Sequence, residues 1–190
     1  MDHKVVYQTI EDRGSDLDRI ELNGPILCQD KYSWLGDGYY FWDTFIENAH
    51  WWGKDIKEYP NGYIICKAYC DKDSKNCLDL VGNTEHLLNF RQTVESLKQK
   101  GLVKSNTTVK RVIDFLKKTG SFNYEATRVY GIRSKSFISE FSMNMFFDSS
   151  KNSFLDLTPP IQICFYKKKG LNLRNYAIEF PEEYKSDYLV

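Results

Sequence analysis

Apolar and polar residues alternate in several short segments of the chain, and this alternation predicts β-strands. The segments are rich in β-branched and aromatic residues, which are typical of strands. Strands are predicted at 4–10, 38–42, 62–69, 77–80, 128–132, 137–147 with an interruption, 161–166 and 175–180. The strands therefore fall into an early and a late group, separated by about fifty residues of different periodicity.

The middle of the chain has apolar residues spaced three and four positions apart, which predicts two amphipathic helices. The apolar positions are Leu87, Phe90, Val94 and Leu97 in the first helix, and Val109, Val112, Ile113 and Leu116 in the second. Gly101 and Gly120 follow these helices at positions where glycine commonly ends a helix. The second helix is expected to start from Ser105 or Asn106.

A shorter helix is predicted at 44–52, with Thr44 or Asp43 as its cap. The predicted order is a group of strands, a helical insert at 84–120 and a second group of strands. This order indicates an α+β fold rather than a βαβ alternation. A length of 190 residues suits one hydrophobic core. We therefore expect a single domain, 1–190.

Composition excludes several classes of protein. A hydrophobic share of 42% with 27% charged residues is ordinary for a globular chain. No apolar run reaches the ~18 residues that span a bilayer, and the first residues lack the apolar stretch of a signal peptide. The five cysteines form no CxxC pair and the three histidines are far apart, so we expect free thiols and no metal. A cytoplasmic protein without membrane contact is expected.

Charge is unevenly distributed although the formal net charge is zero. Residues 91–140 hold 11 Lys and Arg against 4 Asp and Glu. One interpretation is a solvated helical face. The other is a surface that contacts an acidic protein or nucleic acid. The sequence leaves both open.

Aromatic residues make up 15% of the chain, and they are dense in the run 34–42, WLGDGYYFW. Glycines alternate with rings in this run. Glycine lets a flat group approach the backbone, and tyrosine adds a stacking face with a polar end. The run would therefore suit a planar heteroaromatic ligand, although such rings also commonly fill a core.

The segment 34–53 resembles the second signature of the ADP-ribosyltransferase superfamily, in its poly(ADP-ribose) polymerase-like branch. That signature has a glycine, any residue, a glycine, any residue and Tyr-Phe, followed by a helix with a small residue. The matching residues in order are Gly36, Gly38, Tyr40, Phe41 and Ala49. The segment 6–9, VYQT, is similar to the family's first strand, Tyr-His-Gly-Thr. The segments 161–165 and 175–178 are similar to its third-motif strand and closing strand.

The resemblance implies a split two-sheet β core that binds NAD+ as co-substrate, with chemistry at the nicotinamide–ribose bond. It implies catalytic roles for Tyr40, which would stack on nicotinamide, for Gln8, which would contact ribose hydroxyls, and for Gln162 at the third-motif position near the ribose and acceptor. It further implies contacts with the dinucleotide from Tyr7, Thr9, Gly36, Gly38, Tyr39 and Phe41. The acceptor would be a macromolecule, and the segment 91–140 could contact it.

Three positions depart from the family pattern. Gln8 replaces a histidine, Thr9 replaces a glycine, and Gln162 replaces the glutamate of active polymerases. Glutamine exchanges hydrogen bonds with a hydroxyl but cannot take its proton, which favours single transfer over chain elongation. Glu140 is an alternative for the third-motif carboxylate. We expect a mono-ADP-ribosyltransferase, an effector or toxin by analogy; the alternative is an inactive module that binds NAD, ADP-ribose or a protein partner.

Overall fold

The computed structural model describes residues 3–14, 17–29, 33–71, 74–130, 139–149, 153–186 and 188. The strands in these ranges are β1 His3–Glu11, β2 Tyr39–Asp43, β3 Tyr63–Asp71, β4 Cys77–Asp79, β5 Ala126–Tyr130, β6 Asn144–Phe146, β7 Phe154–Asp156, β8 Ile161–Phe165 and β9 Arg174–Phe180. The α-helices are α1 Leu17–Asn23, α2 Ile46–Trp51, α3 Thr84–Gln99 and α4 Val109–Lys118. A π-helical segment, Trp52–Lys57, continues α2.

Seven strands form one sheet in the order β4-β5-β8-β2-β1-β3-β9. Neighbours are antiparallel except β4 and β5, which are parallel and are connected through α3 and α4. The remaining pair, β6 and β7, forms a separate antiparallel hairpin. A large, mostly antiparallel sheet with helices inserted in one connection confirms the predicted α+β class.

The sheet has two faces, which we name after the helices that cover them. On the α2 face, α2 covers a cluster around Trp42 and Ile65, and α4 packs through Ile113 against Leu35 and Cys164. On the α1 face, α1 packs beside a cluster of Ile10, Ile64, Cys66 and Ile178. The larger α1-face cluster is built from Val6, Phe41, Ile163, Phe165 and neighbouring side chains.

The ends of the two long helices agree with the sequence prediction, whereas one start does not. Gly101 and Gly120 both have a φ of +69°, the left-handed conformation that follows many helices. The predicted start of α4 at Ser105 or Asn106 is wrong. The side chain of Thr108 instead caps the helix by accepting the Arg111 N–H.

The predicted cap of the short helix is also wrong. Helix α2 follows Phe45, which makes no side-chain cap, and Thr44 has a left-handed φ of 68°. Asp43 ends β2 and is buried, where it pairs with Lys4 and Arg128. A long-range ion pair therefore takes the carboxylate that local sequence assigned to a helix cap.

One of the late strands is much shorter than predicted. Of the predicted strand 137–147, only Asn144–Phe146 is a strand among the described residues, and 131–138 lie outside them. Strand β7 and helix α1 were not predicted from the sequence. Both are short, and α1 lacks a buried residue that would give it a clear apolar stripe.

Candidate functional site

The three strands that carry the family-like motifs are neighbours in the sheet, in the order β8-β2-β1. Tyr7 lies opposite Trp42, and Trp42 lies opposite Gln162. Residues opposite each other on paired strands point to the same side of the sheet. These three side chains therefore form one row on the α2 face, although up to 155 positions separate them in the chain.

Tyr40 belongs to the same face as Gln162, because it pairs with Cys164, two positions along β8. Its hydroxyl donates to the Gly36 carbonyl at 2.8 Å and accepts the Leu35 N–H at 2.8 Å. Burial raises the pKa of Tyr40 far above its ordinary value. Tyr40 thus fastens the glycine-containing loop and keeps its proton at neutral pH.

Gln162 is nearly enclosed, with 5% of its surface exposed. Its Oε1 accepts a hydrogen bond of 2.9 Å from the indole Nε1 of Trp34. Trp34 begins the glycine-containing loop, so this bond joins the second and third motifs directly. Sequence reasoning singled out Gln162 but not Trp34, whose partner lies 128 positions away.

Gln8 points to the α1 face, away from Tyr40 and Gln162. Its Oε1 accepts from the Ile26 N–H at 2.9 Å and from the Tyr176 hydroxyl at 3.0 Å. Its Nε2 donates to the Ile26 carbonyl at 3.0 Å and more weakly to the Tyr40 carbonyl at 3.3 Å. Both donors and both acceptor positions of the Gln8 amide are therefore used, and the amide holds the segment around Ile26 against the sheet. The three residues predicted as catalytic do not converge on one face.

Close packing explains one glycine of the motif, and backbone conformation explains the other. A Cβ on Gly38 would lie 2.5 Å from Cys164 Sγ and 2.8 Å from the Phe165 carbonyl oxygen. Gly36 has a φ of +100°, which L side chains rarely adopt. The glycines let the loop pass close to β8. Their contact with a ligand stays a prediction.

The other predicted ligand contacts divide between the two faces. Thr9 lies on the α2 face and its hydroxyl donates to the Ala49 carbonyl at 2.8 Å. Tyr7 lies there too, and partial burial raises the pKa of its hydroxyl. Tyr39 and Phe41 belong to the α1 face, where Phe41 is a buried core residue and Tyr39 packs against the same cluster. A ligand on the α2 face would touch Thr9 and Tyr7 rather than Tyr39 and Phe41.

Glu140, the alternative for the third motif, is separate from this row. It is exposed and forms an ion pair with Lys54, which lies in the π-helical segment after α2. Such an exposed pair contributes little to stability. Of the two candidates, Gln162 is the one aligned with Tyr7 and Trp42 across the motif strands.

A buried charge network on the α1 face escaped sequence reasoning. Asp43 Oδ2 lies 2.6 Å from Arg128 Nε and 3.1 Å from Lys4 Nζ, and Arg128 also reaches Asp79 at 3.0 Å. Burial opposes ionisation of Asp79, but N–H donors of Gly82 and Val81 and the Arg128 charge outweigh it and lower its pKa. The four charges balance, so the network ties β1, β2, β4 and β5 together.

Among the described residues, no group of three or more His, Cys, Asp or Glu side chains could hold a metal ion. None of the helices within the described ranges combines the length and apolar character needed to cross a bilayer. No protein-family model matches the sequence, and no curated protein or solved structure is significantly similar to it.

Proposed function

We propose that this chain is a mono-ADP-ribosyltransferase with a split core of ADP-ribosyltransferase type, which binds NAD+ on the α2 face and transfers ADP-ribose to a macromolecule. One observation carries the proposal. The three segments that resemble the family's motifs form adjacent strands, and Tyr40 and Gln162 share a face. Chance matches in unrelated core segments would not require this adjacency.

The α2 face supplies side chains suited to the dinucleotide. The rings of Trp34 and Tyr40 offer stacking surfaces for nicotinamide. The Gln162 amide can donate to ribose hydroxyls through Nε2, and the Thr9 hydroxyl, whose proton goes to the Ala49 carbonyl, can accept a hydrogen bond from the ligand. The Trp34 indole donates to Gln162 Oε1, so the ring of Trp34 lies beside the proposed ribose contact. Gln8 would support the site by fixing the segment around Ile26.

The proposed reaction breaks the bond between ribose C1′ and the nicotinamide nitrogen. The electron pair passes to that nitrogen and neutralises its charge, while the acceptor forms a new bond to C1′ and loses a proton. Gln162 cannot take this proton, and burial raises the pKa of Tyr40 so that it keeps its own. The proton would leave to solvent, so the site works by binding and orientation and favours one transfer over elongation.

The acceptor is proposed to be a protein or nucleic acid, met by the protein in the cytoplasm as an effector or toxin. This part rests on family analogy. On the α1 face, Lys4, Asp79 and Arg128 line a cavity of about 560 Å³ whose lining includes neither Tyr40 nor Gln162. We therefore assign dinucleotide binding to the α2 face.

Calorimetric titration with NAD+, paired with chromatography of released nicotinamide, tests the proposal. The chain offers a matched control, because Tyr39 and Tyr40 are adjacent in sequence and lie on opposite faces of the sheet. We expect Tyr40→Ala and Gln162→Ala to lose binding and release. Tyr39→Ala should retain both, once thermal melting shows that each variant is folded.

Each outcome has a distinct meaning. Binding without release would replace the transferase proposal with the alternative of an inactive module that binds NAD or ADP-ribose. Equal loss from Tyr39→Ala and Tyr40→Ala, in folded variants, would refute the assignment to the α2 face. Absence of heat at millimolar NAD+ would refute the proposal.

A further inference from the structure

A groove lies between α3 and α4, remote in sequence from the motif strands. It encloses about 730 Å³. One stripe of α3 forms one wall, and the C-terminal end of α4 with residues 121–124 forms the other. Its apolar lining consists mainly of Phe90, Leu97, Leu102, Phe115, Leu116 and Phe122.

The apolar lining is both held in place and accessible. Phe90, Phe115 and Leu116 are partly buried and pack against the cluster of Leu97, Val103 and Val112 beneath them. Leu102 is 54% exposed at the edge of the groove. Anchoring by a core cluster keeps the groove open without a partner, so little ordering is needed on binding.

The segment that forms most of the groove is basic in sequence, although Lys110 contacts Asp37 and Lys117 lies over the ring of Tyr166. Residues 84–120 contain eight Lys and Arg but three Asp and Glu. One of those acids, Glu95, pairs with Arg91 at 2.9 Å. The groove lining includes Lys100 and no acidic residue, and every residue in this part of the chain is described. An acidic partner would therefore be favoured over a basic one.

We propose that this groove binds an acidic amphipathic helix of a partner protein. The wall formed by α3 is 16 residues long, which corresponds to ~24 Å and matches a partner helix of about four turns. Apolar residues at positions i, i+3 or i+4 and i+7 would enter the groove, and acidic residues would face Lys100. This inference is independent of the proposed transferase activity.

The lining favours a helix over nucleic acid. A nucleic-acid groove usually presents several cations to the phosphates, whereas this lining combines apolar and uncharged polar side chains with a single lysine. Hydroxyl and amide side chains of Asn89, Thr93, Ser96 and Thr119 give the groove a polar rim. An apolar centre with a polar rim is the usual anatomy of a protein–protein contact.

The test is a selection against the full chain from a display library of 14-residue helical peptides with randomised faces. Enriched peptides are then measured by fluorescence anisotropy with two pairs of variants. Leu102→Asp in the groove is compared with Leu22→Asp, an 86% exposed leucine in α1. Lys100→Glu is compared with Lys98→Glu, an exposed lysine at the same helix end that does not line the groove.

We expect acidic peptides with apolar residues at helical spacing to be enriched. Leu102→Asp should weaken them about tenfold or more, and Lys100→Glu should weaken them several-fold, while the matched variants change binding less than about twofold. Enrichment of basic or non-helical peptides would overturn the proposal. So would equal effects of the groove and control variants, displacement by an oligonucleotide at stoichiometric concentration, or failure to enrich any peptide.

Discussion

Replacement of Asp43 by asparagine is a direct test of the buried charge network. The asparagine keeps the size of the side chain and removes its charge. Arg128 then keeps Asp79 as a carboxylate partner, whereas Lys4 loses the carboxylate that it contacts at 3.1 Å. Asp43 itself is 2% exposed, but Lys4 and Arg128 line a cavity from which solvent reaches part of their charge.

The expected magnitude follows from the exposure of the partners. Removing one partner of a fully buried ion pair costs about 3–5 kcal/mol. Arg128 and Lys4 keep 15% and 19% of their side-chain surfaces exposed, so solvent screens part of their charge. The asparagine oxygen can still accept one hydrogen bond. We therefore expect a loss of about 2–3 kcal/mol in the free energy of unfolding.

Urea unfolding at pH 7 measures this loss, with Asp71→Asn as the matched control. Asp71 pairs with Arg174 at 3.0 Å, but their side chains are 36% and 32% exposed. Such a pair contributes about 0–1 kcal/mol. The dependence of the unfolding free energy on urea should stay constant in both variants. Losses that agree within about 0.5 kcal/mol would refute the assignment of Asp43 to a buried network.

Three further predictions concern individual residues. Gly38→Ala should lower the free energy of unfolding by about 3 kcal/mol in urea titrations, because its Cβ would meet Cys164 Sγ at 2.5 Å and the Phe165 carbonyl at 2.8 Å. An unchanged urea midpoint would contradict the close packing of Gly38 on β8. Burial raises the pKa of the Cys164 thiol to about 12, so iodoacetamide at pH 8 should label the partly exposed Cys28 before Cys164. Peptide mapping measures the order of labelling, and faster labelling of Cys164 would contradict its burial. Burial lowers the pKa of His50, so the unfolded chain binds this proton more readily than the folded chain does, and the stability from neutral His50 is full above pH ~6.5 and lost as the pH falls through the lower folded pKa. His50→Gln should flatten this pH dependence of the melting temperature. An unchanged pH dependence would show that it comes from another group.

Local sequence signals predicted most elements of the fold. The strands β1, β3, β8 and β9 have alternating or mostly apolar sequences, which can be recognised without knowledge of their partners. The glycines that end α3 and α4 were predicted correctly, since a left-handed residue after a helix is a local requirement. The start of α4 was missed because several polar residues in 105–108 could serve as its cap.

The candidate site could be predicted only in part, since it depends on register. Alternation within a strand shows which residues of that strand share a face with Gln8 or with Tyr40. Only the pairing between β1 and β2 shows that Gln8 and Tyr40 lie on opposite faces of the sheet. The bond between Trp34 and Gln162 joins residues 128 positions apart, and no local pattern indicates it. Asp43 looked like a helix cap because Arg128, its partner, is 85 positions away.

The central claim is that NAD+ binds on the α2 face where Trp34 contacts Gln162, and the indole N–H signal of Trp34 reports on it directly. The chain has four tryptophans, so their indole signals in ¹⁵N-labelled protein can be assigned by single replacement. Titration with NAD+ should shift the Trp34 signal most, with saturation, because its indole N–H is bonded to Gln162, the proposed ribose contact. The Gln162→Ala variant should lose that shift. A Trp34 signal that stays in place at millimolar NAD+ would contradict the account.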